Sequence, residues 1–261
     1  MKSIIATLLF VFIFIHPVFS QDDFKVIKVN GSILLKTRGV SLETGTVFSG
    51  KDVLLFKSED ATAAVINSQK GRLVLTNKNH DLATARSNSL PSMYNISSRG
   101  GSLLNNTDLS TNFSGKYVVL DKQYIELDGK TYPMNNDHFF FFRYIYKGEE
   151  INKKLGFSGD SLIIDKVTLL TIDGNPIPSA DNTKIKLFYR KGTESVFIGE
   201  FDLIFPDLKQ LKKEIGVILP EIKEKPSSEK VGEIGSYINE FYGKVQRENL
   251  AKWMESNFGI K

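Results

Sequence analysis

The ten residues Asp137–Tyr146 read DHFFFFRYIY. Four consecutive phenylalanines leave few ways to fold. The run is too short to cross a bilayer as a helix, which takes about 20 residues, and Arg143 interrupts it. As a strand it divides into two faces. Phe140, Phe142, Tyr144 and Tyr146 point one way, and Phe139, Phe141, Arg143 and Ile145 the other. Both faces begin apolar, and one turns polar at Arg143. That is the pattern of a central sandwich strand emerging from its core. Aromatic residues also build ligand platforms. In that alternative reading Tyr144 and Tyr146 are the contact candidates, because each carries a hydroxyl. Trp253, near the C-terminus, is a third.

The segments around this run carry strand patterns as well. In KIKLFYR, Ile185, Leu187 and Tyr189 share one face, and Lys184, Lys186 and Arg190 the other, with Phe188 as the exception. VFIGEFDLIF places Phe197, Phe201, Leu203 and Phe205 on a single face. Asp128-Gly129 reads as a hairpin turn, and Asp173-Gly174 follows the strand-like SLIIDKVTLLTI. Residues 117–205 are therefore expected to form an antiparallel, sandwich-like β domain. LDGKTYP and IDGNPIP echo one another, which shared turn chemistry explains as well as duplication does.

Residues 206–261 read as helices that pack on this domain. Asp207 is the expected cap of a helix with Leu208, Leu211 and Ile215 at helical spacing, which Pro220 ends or kinks. A second helix starts after Ser227 or Ser228 as N-cap. Its stripe is Val231, Ile234, Ile238, Phe241 and Val245. Upstream, residues 78–116 are rich in Ser and Asn and read as a polar linker or long loop.

The first 20 residues, MKSIIATLLFVFIFIHPVFS, have one Lys, an apolar run, Pro17 and small residues before Gln21. That is the plan of a secretory signal peptide, with an uncleaved anchor as the alternative. The expected location is the periplasm, the cell surface or the medium, and no later segment is apolar enough to span a membrane. Removing these residues lowers the net charge by one unit from the +4 of the whole chain. With no basic run, nucleic acid is not an expected partner. There is no cysteine, which excludes thiol catalysis, disulfides and thiolate metal sites.

Residues 21–77 hold short strand-like runs. FKVIKV and SILLK flank Asn30-Gly31, a hairpin signal. DVLLF, ATAAVI and RLVLT follow, set apart by Gly45, Gly50 and QKG. Such spacing predicts a small barrel or strongly bent sheet. Within residues 24–76, Val29, Gly31, Ile33, Leu42, Gly45, Phe48, Leu54, Ala64, Ile66, Gly71 and Leu73 follow a strand–Gly–strand–turn–strand pattern. This module resembles the FecR-like domain of bacterial envelope proteins, in particular those of Gram-negative bacteria. The resemblance implies a periplasmic or surface domain used for interaction, not catalysis. Signalling members carry a cytoplasmic anti-sigma segment and a transmembrane helix before the domain; the leader here reads as neither, so a transmembrane signalling role is not expected.

No catalytic constellation stands out. Outside the first 20 residues the histidines are His80 and His138, and neither has an evident nucleophile and orienting partner. GFSGDS lacks the spacing of a nucleophile elbow, and DGKT lacks the upstream glycine of a phosphate loop. NNDH offers oxygens without the ligand spacing of a calcium loop. Neither cofactor nor metal is expected. The sequence reading is thus an exported, non-enzymatic envelope protein that contacts a protein or a glycan. A secreted hydrolase with a distant carboxylate pair and a structural subunit of an envelope assembly are the alternatives.

Overall fold

The computed structural model describes residues 23–80, 105–178, 180 and 184–261. The expected signal peptide and most of the Ser/Asn-rich stretch lie outside the described residues. The chain divides into two compact units, residues 1–86 and 87–261. Strands dominate both, and helices close the second.

Among the described residues the first unit holds seven strands. β1 (Asp23–Asn30), β4 (Val47–Ser49), β6 (Thr62–Asn67) and β7 (Gly71–Thr76) form one antiparallel sheet in the order β4-β1-β6-β7. β2 (Ile33–Leu35), β3 (Val40–Ser41) and β5 (Leu54–Phe56) form another, ordered β3-β2-β5. Phe24, Val26, Phe48, Val65 and Leu73 of the first sheet and Ile33, Leu35 and Leu54 of the second share one core. The described strands form bent sheets and no closed barrel. Asn30-Gly31 does not close a hairpin, since β1 and β2 belong to different sheets. The pair instead turns the corner between them. Gly31 has φ +76°, and a Cβ there would lie 3.0 Å from the Ala61 Cβ, so this corner requires glycine. The β6–β7 hairpin is held by Asn67. Its Oδ1 accepts the amides of Gln69 and Lys70, both at 2.9 Å, and its Nδ2 donates to the Asp23 carbonyl at 2.8 Å.

The second unit is built on a six-stranded sheet. It comprises β8 (Lys116–Val118), β10 (His138–Tyr146), β11 (Glu149–Lys154), β16 (Lys184–Lys191), β17 (Glu194–Ile204) and β18 (Lys244–Val245). Their order is β11-β10-β16-β17-β8-β18. The first four are antiparallel as expected, but β8 runs parallel to both β17 and β18. β9 (Lys122–Glu126), β12 (Gly156–Ser158) and β13 (Ser161–Asp165) form a second sheet ordered β12-β13-β9. Ile125, Leu162 and Ile164 of this sheet share a core with Phe140, Phe142, Ile185, Leu187 and Phe201 of the larger one. This is the sandwich-like arrangement expected for DHFFFFRYIY, with β10 an interior strand.

Asp128-Gly129 makes no hairpin. Asp128 instead folds residues 128–132 into a tight turn, accepting the Thr131 and Tyr132 amides on its carbonyl at 3.1 and 2.8 Å. Asp173-Gly174 does join two short strands, β14 (Thr171–Ile172) and β15 (Asn175–Pro176), with φ of +48° and +79°. Both residues in the left-handed region suit a two-residue hairpin loop. The two echoing motifs therefore have different structures. SLIIDKVTLLTI breaks in the middle, because the Asp165 carboxylate accepts the Val167 and Thr168 amides and caps the short helix α2 (Lys166–Leu169).

The Ser/Asn-rich stretch ends in a helix, α1 (Asn106–Asn112). Asn105 caps it, and Leu109 and the following Phe113 sink into the core. α3 (Leu208–Glu221), α4 (Ser227–Phe241) and α5 (Arg247–Phe258) complete the unit. Asp207 caps α3 by accepting the Lys209 and Gln210 amides, and the helix ends one residue beyond Pro220. α4 begins at Ser227 itself, with Pro226 in the N-cap position and no side-chain cap bond. Between α4 and α5 the chain enters the sheet as β18. Gly243, φ +132°, makes this entry: a Cβ there would meet the Lys116 carbonyl oxygen at 2.6 Å. At the start of α5, Asn249 accepts the Tyr124 amide at 3.1 Å and donates to the Tyr124 carbonyl at 3.0 Å. One side-chain amide thus pairs the edge strand β9 as a neighbouring strand would.

A buried acid joins two of the helices. The Glu214 carboxylate accepts hydrogen bonds from Gln210 (3.1 Å), Tyr237 (2.8 Å) and Tyr242 (2.6 Å). Burial, followed by its bond to Glu214, raises the Tyr242 hydroxyl well above the usual tyrosine range. Burial also raises Tyr117, Tyr144 and Tyr189, and pushes Tyr132 up to about 12. A group with a raised folded pKa contributes stability that is present below its unfolded value, here 10.0, and lost as pH rises beyond it. We therefore expect Tyr117, Tyr132 and Tyr242 to stay un-ionised in the folded protein at pH 11. They should ionise together with alkaline unfolding. An absorbance titration at the tyrosinate band, run beside circular dichroism, checks this.

Candidate functional site

The outward face of the large sheet carries a cross-strand row of rings. On β10, Phe140, Phe142 and Tyr144 are buried inward, so Phe139, Phe141 and Arg143 face outward. Phe141 pairs with Phe188 of β16, and Phe188 pairs with Phe197 of β17. Ring centroids are 5.1 Å apart for Phe141 and Phe188, which stack, and 5.4 Å apart for Phe188 and Phe197, which meet edge-on. Phe139 lies 6.3 Å from Phe141 along the strand.

A β-bulge makes this row possible. Leu187 pairs with Gly199 and Phe188 with Phe197, which leaves Ile198 as the extra residue of β17. One inserted residue shifts the side-chain alternation by one. Phe201 and Leu203 keep to the core, whereas Phe197 swings out and is 53% exposed. The expected common face of Phe197, Phe201 and Leu203 is therefore split. The same bulge accounts for Phe188, the apolar exception on the polar side of β16. Its ring belongs to the outer row.

Cations border the row. The Arg143 guanidinium sits 4.6 Å from the Phe188 centroid and 6.0 Å from that of Phe141. It is held there by Asn152 Oδ1 at 2.9 Å and Glu150 at 3.1 Å, both on β11. Lys154 lies 4.3 Å from the Phe139 centroid. Arg190 donates to Ser195 at 3.2 Å, and Lys184 and Lys186 approach Glu200 at 3.5 and 3.9 Å. Ring and cation hold one another in place, so the surface is pre-ordered.

The three residues singled out from the sequence lie elsewhere. Tyr144 is 3% exposed, and its hydroxyl donates to the Leu169 carbonyl at 2.7 Å. Its ring lines a cavity on the inner side of the sheet. Tyr146 is half-buried against the core, with the Lys147 ammonium 5.4 Å from its ring centroid. Trp253 is buried and packs on Phe258 at 5.7 Å. None of them belongs to the outer row.

The two histidines serve local turns. His80 Nδ1 is 2.9 Å from the Asn77 carbonyl oxygen, and His138 Nδ1 is 3.3 Å from Asn135 Oδ1. That Asn135 oxygen also accepts the Asp137 and His138 amides, so NNDH is a turn. Among the described residues no three His, Asp or Glu side chains cluster as metal ligands, and no helix is long and apolar enough to cross a membrane. Cavities lie beneath Tyr144 and beside Gly243 in the second unit. Among the described residues, the cavity beneath Tyr144 has no acid in its lining, and the one beside Gly243 has Glu240 alone. No protein-family model matches the chain, and comparison with curated proteins and with solved structures found no match.

Proposed function

We propose that this is an exported, non-enzymatic protein of the cell envelope that binds another protein through the outer face of its large sheet. The observation that carries the reading is the row Phe141–Phe188–Phe197, which ends in a solvent-exposed ring. A large aromatic anchor with an arginine at its side is the composition of an interface centre. A protein fits better than a glycan. Sugars stack on rings but are oriented by hydrogen bonds, and phenylalanine has no polar handle. Arg143, Lys184 and Lys186 already have acidic partners on the same face. The N-terminal segment supports export, and the sequence resemblance of residues 24–76 to the FecR-like domain supports an interaction role in the envelope.

The test is quantitative capture from an envelope extract of the source organism, with the wild type and Phe197→Ser in parallel. Phe197 is exposed, so the variant should keep the wild-type melting temperature. We expect a reproducible partner whose affinity falls about thirtyfold in the variant, the size of a central anchor's loss. Equal recovery by both proteins overturns the reading. So does Phe197-dependent retention on a glycan array with no protein partner.

A further inference from the structure

The inner face of the same sheet does not close completely. A cavity of about 260 Å³ lies there, floored by Phe142 and Tyr144 of β10, Ile185 of β16 and Leu203 of β17. Leu169, Leu170 and Phe205 form its walls, and the exposed Lys166 and Pro178 stand at its rim. The wall is pinned, because the Ile177 amide donates to the Leu170 carbonyl at 2.8 Å.

The lining restricts what can enter. The Tyr144 hydroxyl is committed to the Leu169 carbonyl and the Leu170 carbonyl to the Ile177 amide. A trapped water needs two to four polar partners, and these groups already have theirs. The space thus favours an apolar occupant. At about 30 Å³ per water-sized group, it takes an aliphatic chain of about eight or nine carbons. Lys166 is the one charged residue among the described residues of the lining, with its ammonium 5.5 Å from the Phe205 centroid. The nearest acid in sequence, Asp165, is engaged by Lys122 at 3.3 Å and by the α2 amides. The rim therefore selects an anionic head.

We propose that this cavity binds a medium-chain carboxylate, with its chain on Phe142, Tyr144, Ile185 and Leu203 and its head on Lys166. This site is separate from the outer aromatic row, on the opposite face of the sheet. It is tested by calorimetric titration of the full chain with decanoate and with decyltrimethylammonium, both below their micelle concentrations. Decanoate should bind saturably and raise the melting temperature, and the cation should bind at least fivefold more weakly. Lys166→Glu, an exposed change that leaves the fold intact, should weaken decanoate about fivefold. Ile185→Phe, which fills the cavity, should abolish binding of decanoate. The proposal is overturned if decanoate does not saturate, or if head charge and Lys166→Glu make no difference. Undiminished decanoate binding by a folded Ile185→Phe also overturns it.

Discussion

Phe140→Asp should yield no soluble, folded protein. Phe140 is fully buried on an interior strand, with its ring 4.7 Å from Tyr189 and 5.5 Å from Tyr132. Loss of a core phenylalanine costs about 3–5 kcal/mol in packing alone. The incoming carboxylate adds several more, because it would be buried among rings without a partner. Together these approach the whole stability of an ordinary domain, about 5–15 kcal/mol. The neighbouring residue sets the contrast. Phe139 points to the outer face, and Phe139→Asp should remain soluble and folded. Soluble fraction and circular dichroism separate the two variants. A folded Phe140→Asp would mean that the inward assignment of β10 is wrong.

Glu214→Leu should destabilise the helical part of the second unit by about 3–5 kcal/mol, because three donors lose their shared acceptor at about 1–3 kcal/mol for each one left buried. In a domain of this size that is about 10 °C in melting temperature. The side chain is fully buried, and its two oxygens are the shared acceptor for Gln210, Tyr237 and Tyr242. Leucine matches the volume but offers no acceptor. Tyr237→Phe removes one donor and leaves the acceptor in place, so its cost should be nearer 1 kcal/mol. Thermal melts of the two variants give the comparison. A Glu214→Leu melt within a degree or two of wild type would show that the acid contributes little there.

Strand alternation was legible where the strands are regular. DHFFFFRYIY and KIKLFYR each divide as a period of two requires: Phe140, Phe142, Tyr144, Ile185, Leu187 and Tyr189 are buried on the inner face, and on the outer face only Phe141 is covered, within the row of rings. Phe197 was not legible. A single inserted residue at Ile198 reverses the alternation, and nothing local in VFIGEFDLIF marks it except Gly199. The residues that form the outer row were each visible, but their alignment depends on pairing among three strands. Tyrosine hydroxyls suggested contact residues, yet the Tyr144 hydroxyl is spent inside the protein on a backbone carbonyl.

Turn chemistry was legible as turns but not as hairpins. Asn30-Gly31 and Asp128-Gly129 both bend the chain, and neither joins paired strands. Which strands pair is decided by burial over long sequence separations. α1 was hidden for another reason. Leu109 and Phe113, four residues apart, are its only large apolar anchors, too few for a periodic signal. The parallel pairs of β8 are two or three residues long, below what any pattern reveals.

The central claim is that the outer row of rings is the contact surface. Its most direct test is a photo-crosslinking benzophenone side chain placed at Phe197, with a second protein carrying it at Tyr124 as control. Tyr124 is an exposed aromatic on the smaller sheet. In envelope extract, the Phe197 probe should give an adduct of one discrete mass and the Tyr124 probe none. Adducts of the same mass from both positions, or none from Phe197, would contradict the account.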